Sequence, residues 1–263
     1  MDLRGSTGFD PNTPNAARLY DYFLGGKDHF PADRLAAEDL LRVAPEVRRA
    51  ARANRAFLGR AVRHLRDLGI EQFLDIGTGL PAQGAVHELA GPLARVTYVD
   101  NDPVVLVHAR AMLARSFRTT VVAGDVRQPH EILKNRDLGI DFDRPVAILL
   151  VAVLHFVAEA DDPERIVAAL RDIMAPGSHL VISHAAAEAR AAAVARGVEI
   201  YDRSHTPITP RSRKAIEALF AGFDLVDPGL VWLPEWRPEQ ADHIDFPRDP
   251  GSSLQFGGIG RKR

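Results

Sequence analysis

The sequence predicts an α/β fold of the doubly wound class, a mostly parallel β-sheet with helices on both faces. Three observations carry that expectation. Short, continuously apolar runs recur at 72–77 (QFLDIG), 95–100 (RVTYVD), 119–124 (TTVVAG), 145–156 (PVAILLVAVLHF) and 178–184 (SHLVISH). Helical segments separate them, clearest at 103–115 and 163–174. The first run ends in a glycine turn, Asp75-Ile76-Gly77-Thr78-Gly79. Strands buried on both faces read as unbroken apolar runs, and their alternation with helices is the signature of parallel pairing.

The helix starts are marked in the same way three times. Asp102 before Pro103, Asp162 before Pro163 and Thr209 before Pro210 each read as an N-cap followed by proline at the first helical position. A further helical stretch is expected to open at Pro81. After the helix begun by Pro210, FDLVDPGLVWL and LQFGGIGRKR give two strand-like segments joined by a Pro-rich loop (234–250), an antiparallel pair expected to close one edge. Two regions fall outside the repeating pattern. Residues 1–70 hold no strand candidate and read as a helical N-terminal cap. Residues 185–208 read as an alanine-rich helix, AAAEARAAAVAR, followed by an irregular stretch, GVEIYDRSHTPI. No internal repeat or long linker appears, so one domain over 1–263 is expected, with 71–263 as its core.

Composition removes several kinds of chemistry. The 263 residues are 46% hydrophobic and 26% charged, with a formal net charge of −2, so nothing draws the chain globally to nucleic acid. The arginines between Arg48 and Arg66 recur at helical spacing and read as a solvated helix face. The absence of cysteine excludes disulfides, thiolate metal sites and cysteine nucleophiles. No stretch approaches the roughly 18 apolar residues that a membrane helix needs, and no apolar leader opens the chain. Cytoplasmic residence, with no membrane or nucleic-acid partner, is the resulting expectation.

The glycine turn carries the most chemistry. In doubly wound sheets ligands bind beyond the carboxyl ends of the strands, and glycines there let a ligand lie against the main chain. Asp100 ends the second strand 21 residues after Gly79 (100 − 79), close to the spacing at which an acid meets ribose hydroxyls. Asp125 follows the third strand, where it can reach an adenine edge; Asn101 and Val126 stand beside these two acids. Acids at three successive strand ends describe a pocket for an adenine nucleoside.

GTGLPA also fits the dinucleotide pattern, so a nicotinamide-dependent oxidoreductase is the competing enzyme class. Three details weigh against a pyrophosphate. Asp75 would repel it, Pro81 removes an N–H near the helix start, and the turn carries no compensating cation. S-adenosylmethionine is cationic and free of phosphate, and it reverses all three objections.

The residues also resemble a family. FLDIGTGLP, HELA, RVTYVDNDPVVLVHARAML and GDVR are similar to the nucleotide half of class I S-adenosylmethionine-dependent methyltransferases. More narrowly, PNTPNAARLYDYFLGGKDHFPADR resembles the opening signature of an actinobacterial group of such proteins, long listed as a domain of unknown function. The resemblance runs over nearly the whole chain. It implies a Rossmann-like, seven-stranded sheet with the last strand antiparallel, and S-adenosylmethionine over Gly77 and Gly79. By the class pattern Asp100 holds the ribose and Asp125 the adenine amino group. It does not supply a methyl acceptor.

The N-terminal signature gathers Asn15, Arg18, Tyr20, Asp21, Tyr22 and Lys27 with further polar residues around Gly25-Gly26. It reads either as a polar loop capping a helix or as a wall folded over the cofactor. The double glycine favours the second, being costly to order unless the backbone is needed there. Tyr20, Lys27 and Asp28 are then expected to touch the methionine end of the cofactor or the acceptor. Methyl transfer needs alignment and dryness, and a base only if the acceptor must lose a proton. His155 and His184, after the fourth and fifth strands, are the candidate bases, and each reads equally as a strand-end histidine bonded to a carbonyl. Glu199, Tyr201, Asp202 and His205 are candidate acceptor-pocket residues.

No metal site is expected: His87-Glu88 begins like a zinc helix, but position 91 is glycine. The leading expectation is an enzyme methylating a small molecule at oxygen or nitrogen. The alternatives are a non-catalytic S-adenosylmethionine-binding protein and the oxidoreductase. Oligomeric state is not written in the sequence.

Overall fold

The structure, a computed structural model, describes residues 10–81, 84–113, 118–202, 207–240, 246 and 248–263. Five parallel strands form its centre: β1 (Gln72–Ile76), β2 (Arg95–Asp100), β3 (Thr119–Ala123), β4 (Ala147–Val151) and β5 (His179–Ala185). With β6 (Phe223–Leu225) and β8 (Gln255–Lys262) the order across the sheet is β3-β2-β1-β4-β5-β8-β6. The order reverses beside β1, which pairs with both β2 and β4, and this is where a doubly wound sheet opens its ligand crevice.

The expected antiparallel last strand is present, but β8 does not lie on an edge. It runs antiparallel between β5 and β6, and β6 takes the edge. Glycine makes that insertion possible. A Cβ on Gly257 would stand 2.6 Å from Leu233 and 2.9 Å from Phe57, and one on Gly260 would stand 2.7 Å from Phe223. The two-residue β7 (Val231–Trp232) adds an eighth strand beside β8.

Helices cover both faces. On one, the amphipathic α3 (Val47–Asp67) buries Phe57, Leu58, Ala61, Val62 and Leu65 against Phe73, Val96, Leu149 and Val181. On the other, α7 (Pro163–Ile173) lays Ile166, Val167 and Leu170 over Leu74, Ile148 and Leu180. A third cluster joins α1 (Ala16–Leu24) and α2 (Pro31–Val43) to α8 (Ala191–Asp202) and forms the cap.

Several local expectations need correction. The apolar run 145–156 stops being strand at Val151, because Ala152 takes a left-handed conformation (φ 57°) and starts the turn over the sheet edge. Where a helix was expected from Pro81, the only helix among the described residues between β1 and β2 is one turn, α4 (Val86–Leu89). Asp102 and Asp162 cap as expected, their carboxylates accepting the N–H of Val104 and Arg165. Thr209 does not: α9 (Arg213–Ala218) begins three residues beyond Pro210, with Ser212 as its cap. The helix expected from Ala185 begins at Ala191 and absorbs GVEIYD, which was expected to be irregular. Arg60 is buried, contrary to the solvated face expected for it. Its guanidinium donates to the carbonyls of Trp236 (2.9 Å) and Leu233 (2.7 Å) and ties α3 to the loop after β7.

Candidate functional site

A cavity of about 770 Å³ opens where the strand order reverses, a volume ordinary for a small-molecule site. Asp75, Gly77, Gly79, Asp100, Asn101, Asp125 and Val126 line it, as do Tyr20 and His155. Lys27, Asp28 and His184 do not.

The turn after β1 presents bare main chain. Gly77 and Gly79 have φ of +74° and +66°, a region that L side chains rarely adopt. A Cβ on Gly77 would also stand 2.4 Å from Val153, whereas one on Gly79 would meet nothing within 4 Å, so the main chain there is open to a ligand. The Gly79 N–H donates to Asp100 Oδ2 at 2.9 Å, and the Asp102 N–H donates to Asp100 Oδ1 at 2.9 Å. Asp100 is thereby aimed and held at its strand tip. Asp75 accepts the Thr78 hydroxyl at 3.0 Å.

Burial pushes both carboxyls up to about 6, Asp75 against the Thr78 hydrogen bond and Asp100 against the N–H groups of Asp102 and Gly79. Two carboxylates whose charge is penalised by burial are suited to a ligand that brings positive charge and hydroxyl donors. Asp125 differs. Partial burial pushes it up, but the side chain and N–H of Arg127 outweigh this and hold it below the ordinary range. Asn101 Nδ2 adds a donor to Asp125 at 3.3 Å.

These residues fit an adenosine compound with a cationic tail better than a pyrophosphate. The Gly79 N–H is spent on Asp100, and among the described residues the helix that follows the turn, α4, begins seven residues beyond Gly79 and has only four residues.

The cap reaches the cavity through a buried polar chain. Ala152 N–H donates to Ser183 Oγ (2.9 Å), and Ser183 Oγ donates to Asn54 Oδ1 (2.6 Å). Asn54 Nδ2 donates to the Tyr20 hydroxyl (2.9 Å), which donates to the Ala51 carbonyl (3.1 Å). The turn after β4, β5, α3 and α1 are thus fastened in series. Tyr20, expected to touch the ligand, lines the cavity, while its hydroxyl is held by Asn54 and Ala51.

The rest of the signature builds a clasp. Asn15 caps α1, its Oδ1 accepting the N–H of Ala17 at 2.8 Å. Buried Asp33 accepts Arg18 Nε (2.8 Å), Phe30 N–H (2.7 Å) and Asn15 N–H (2.9 Å). Lys27 and Asp28, expected to meet the methionine end of the cofactor or the acceptor, do not line the cavity. Gly25 ends α1 at φ +84° and turns the chain outward, leaving the Asp28 carboxylate half-exposed, 3.6 Å from His108 Nδ1. The double glycine is explained there as well. Gly25 is the left-handed helix cap, and a Cβ on Gly26 would stand 1.9 Å from the Asp21 carboxylate.

The two histidines also part company. His184 is fully buried, with Nδ1 donating to the Ala185 carbonyl (2.9 Å) and Nε2 accepting from Arg211 (3.0 Å). Burial pushes it down to about 4, and with both nitrogens occupied it is a structural hub, not a base. His155 lines the cavity, but its Nδ1 accepts the Ala185 N–H at 3.3 Å. The ring proton therefore resides on Nε2. Burial, then the neighbouring His184 and Arg211, hold it neutral, well below the ordinary imidazole range. It offers an N–H rather than a lone pair.

Sequence reasoning missed Arg211, whose buried guanidinium also donates to the carbonyls of Leu154 (2.9 Å) and Val157 (2.8 Å) and shapes the turn after β4. It also missed Asn54, because its partners Ser183 and Tyr20 lie on other elements. Glu199 and Asp202 do not line the cavity; Tyr201 does, and His205 lies outside the described residues. Among the described residues no group of three metal-ligating side chains occurs, and no helix is long and apolar enough to cross a membrane.

A model of a family described as S-adenosyl methyltransferase matches residues 4–263. A solved structure of a candidate methyltransferase from Thermobifida fusca YX is 41% identical, covers all of both chains and superposes with a TM-score of 0.90. A DUF574 family protein from Streptomyces avermitilis MA-4680 is 38% identical over 97% of this chain and 99% of its own, with a TM-score of 0.92. No curated protein matches.

Proposed function

The chain belongs to the S-adenosyl methyltransferase family, and from that premise we propose that it methylates a small molecule, at nitrogen or oxygen, inside the cavity between cap and sheet. It is an S-adenosylmethionine-dependent methyltransferase. The observation that carries the proposed acceptor class is the cavity's two-sided wall: strand-tip acids and open main chain on one side, apolar cap residues on the other. A space roofed by α1, α2 and α8 suits a compact guest better than a polymer. Action in the cytoplasm, without nucleic-acid or membrane partners, belongs to the same proposal.

S-adenosylmethionine, when bound, supplies an electrophilic methyl carbon on a cationic sulfur. The chain's own residues supply placement. Gly77 and Gly79 leave the main chain open to the nucleoside, Asp100 accepts from its ribose hydroxyls, and Asp125 with Asn101 and Val126 borders its base. Asp75 answers the positive charge of the amino-acid end. The cap excludes water, which raises the effective concentration of the paired reactants and prevents loss of the methyl group to solvent. His155 keeps its proton at Nε2 and serves as a donor.

Calorimetric titration with S-adenosylmethionine and, separately, NADH tests the cofactor half. Uptake of NADH alone would refute the reading. Mass spectrometry of a small-molecule library incubated with enzyme and S-adenosylmethionine tests the acceptor half; methylation confined to protein or nucleic acid would sink it.

A further inference from the structure

Gly197 lies in the interior of α8, one turn after Ala193 and one turn before Tyr201, and all three are buried and line the cavity. Glycine inside a helix costs stability relative to alanine, so its presence there needs a reason. Other glycines of the chain show the two usual reasons. Gly25, Gly79 and Gly229 have positive φ, whereas a Cβ on Gly26, Gly257 or Gly260 would stand 1.9, 2.6 or 2.7 Å from a neighbouring side chain. Among the described residues Gly197 alone has neither a positive φ nor a heavy atom within 4 Å of the place its Cβ would take. The missing side chain is room given to the cavity.

The surroundings describe what enters that room. Tyr201 holds its ring 5.5 Å from that of Phe156, tilted by 58°. Phe156 follows His155, and their rings lie 4.4 Å apart. His155 is only 4% exposed, with Nδ1 turned to the Ala185 N–H. Its Nε2 is not among the sealed polar atoms and stays open to the cavity, with no partner for its N–H among the described residues. A bare helix turn offers a flat bed, two aromatic rings offer faces and edges, and one buried N–H calls for a lone pair.

We propose that Gly197 sets the specificity for the methyl acceptor, a planar heteroaromatic compound whose ring lies on the bare turn of α8 beside Phe156 and Tyr201 while a ring-edge lone pair accepts the His155 Nε2–H. This deepens the small-molecule methyltransferase reading and rests on it. A ring so placed takes the volume that a side chain at 197 would fill. Alanine at this position therefore favours the empty enzyme and opposes the filled one.

Gly197→Ala tests both halves. Without ligand its midpoint of thermal unfolding is expected to rise by about 2–4 °C, because alanine is the better helix former and nothing resists its methyl group. An unchanged or lower midpoint would assign the glycine to the fold and overturn the proposal. Isoquinoline, in buffer that leaves its nitrogen unprotonated, is the probe for the filled state, and naphthalene is its shape-matched control. Each is equilibrated by dialysis against enzyme saturated with S-adenosylhomocysteine. Isoquinoline is expected to bind the native enzyme with a Kd of about 1 mM or tighter, at least about fivefold better than naphthalene, and to lose about tenfold in Gly197→Ala. No uptake of isoquinoline, or an unchanged affinity in Gly197→Ala, overturns the proposal. Equal uptake of naphthalene overturns the part given to His155. S-adenosylhomocysteine itself should bind both proteins within about twofold. Its failure to bind the native enzyme would instead strike the methyltransferase reading.

Discussion

The two walls of the cavity solve opposite electrostatic problems. The sheet wall gathers Asp75 and Asp100, buried and held near pKa 6, and so keeps ionisable groups where their charge is expensive. The cap wall spends its polar groups on one another, through Tyr20, Asn54 and Ser183, and turns apolar side chains to the space that remains. Groups left charge-starved await a ligand, whereas groups already satisfied hold a shape. Substitutions on the sheet wall should therefore change affinity, and those beneath the cap should change stability.

Four measurements can break or sharpen that contrast, from the largest expected effect downward. Asp33→Ala leaves the Arg18 guanidinium buried without its carboxylate, and thermal unfolding should report a loss of about 3–5 kcal/mol. A loss below about 1 kcal/mol would mean that the clasp does not carry the cap. Asp100→Ala should weaken S-adenosylhomocysteine about a hundredfold, because the ribose hydroxyls lose their acceptor and two N–H groups lose theirs. Calorimetry showing less than about threefold would remove Asp100 from the site.

Asp75→Asn should do something the cap cannot, raising stability while lowering cofactor affinity. A carboxyl whose folded pKa lies near 6, against an ordinary 3.8, costs the fold stability as pH rises through that interval and stays penalised above it. The variant should gain about 1–2 kcal/mol at pH 7.5, with the gain fading toward pH 4. A pH-independent gain would assign the effect to packing. The smallest effect concerns the native protein. Cofactor affinity should rise several-fold between pH 5 and 7.5 as Asp75 and Asp100 ionise, then level off. Affinity that falls over this range would contradict the charge pairing.

The sheet wall was legible in the sequence because its chemistry is local. Asp75, Gly77 and Gly79 are nearly contiguous, and Asp100 and Asp125 end apolar runs that announce themselves as strands. The fold was legible for the same reason, down to the antiparallel last strand, although its interior position depends on Gly257 and Gly260 meeting side chains from elsewhere in the chain. The cap wall was not. Asn54 meets Ser183 across 129 residues, and Arg211 meets His184 across 27, pairings that no spacing rule encodes. Lys27 and Asp28 stand outside the cavity lining, and the two glycines beside them have a local reason: one ends a helix and the other clears room for Asp21. His155 and His184 were rightly located at strand ends, but their tautomers depend on Ala185 and Arg211 and so on the assembled turn.

The clasp at Asp33 has a consequence for how its members can change. One carboxylate serves the backbone N–H groups of Asn15 and Phe30 and the Arg18 guanidinium together, so positions 18 and 33, joined by their side chains, behave as a single character under substitution. Once Asp33 is gone, exchanging Arg18 for methionine should restore part of the lost stability, because no buried cation then stands without its carboxylate. Homologues are expected to keep both halves of the pair or to have replaced both.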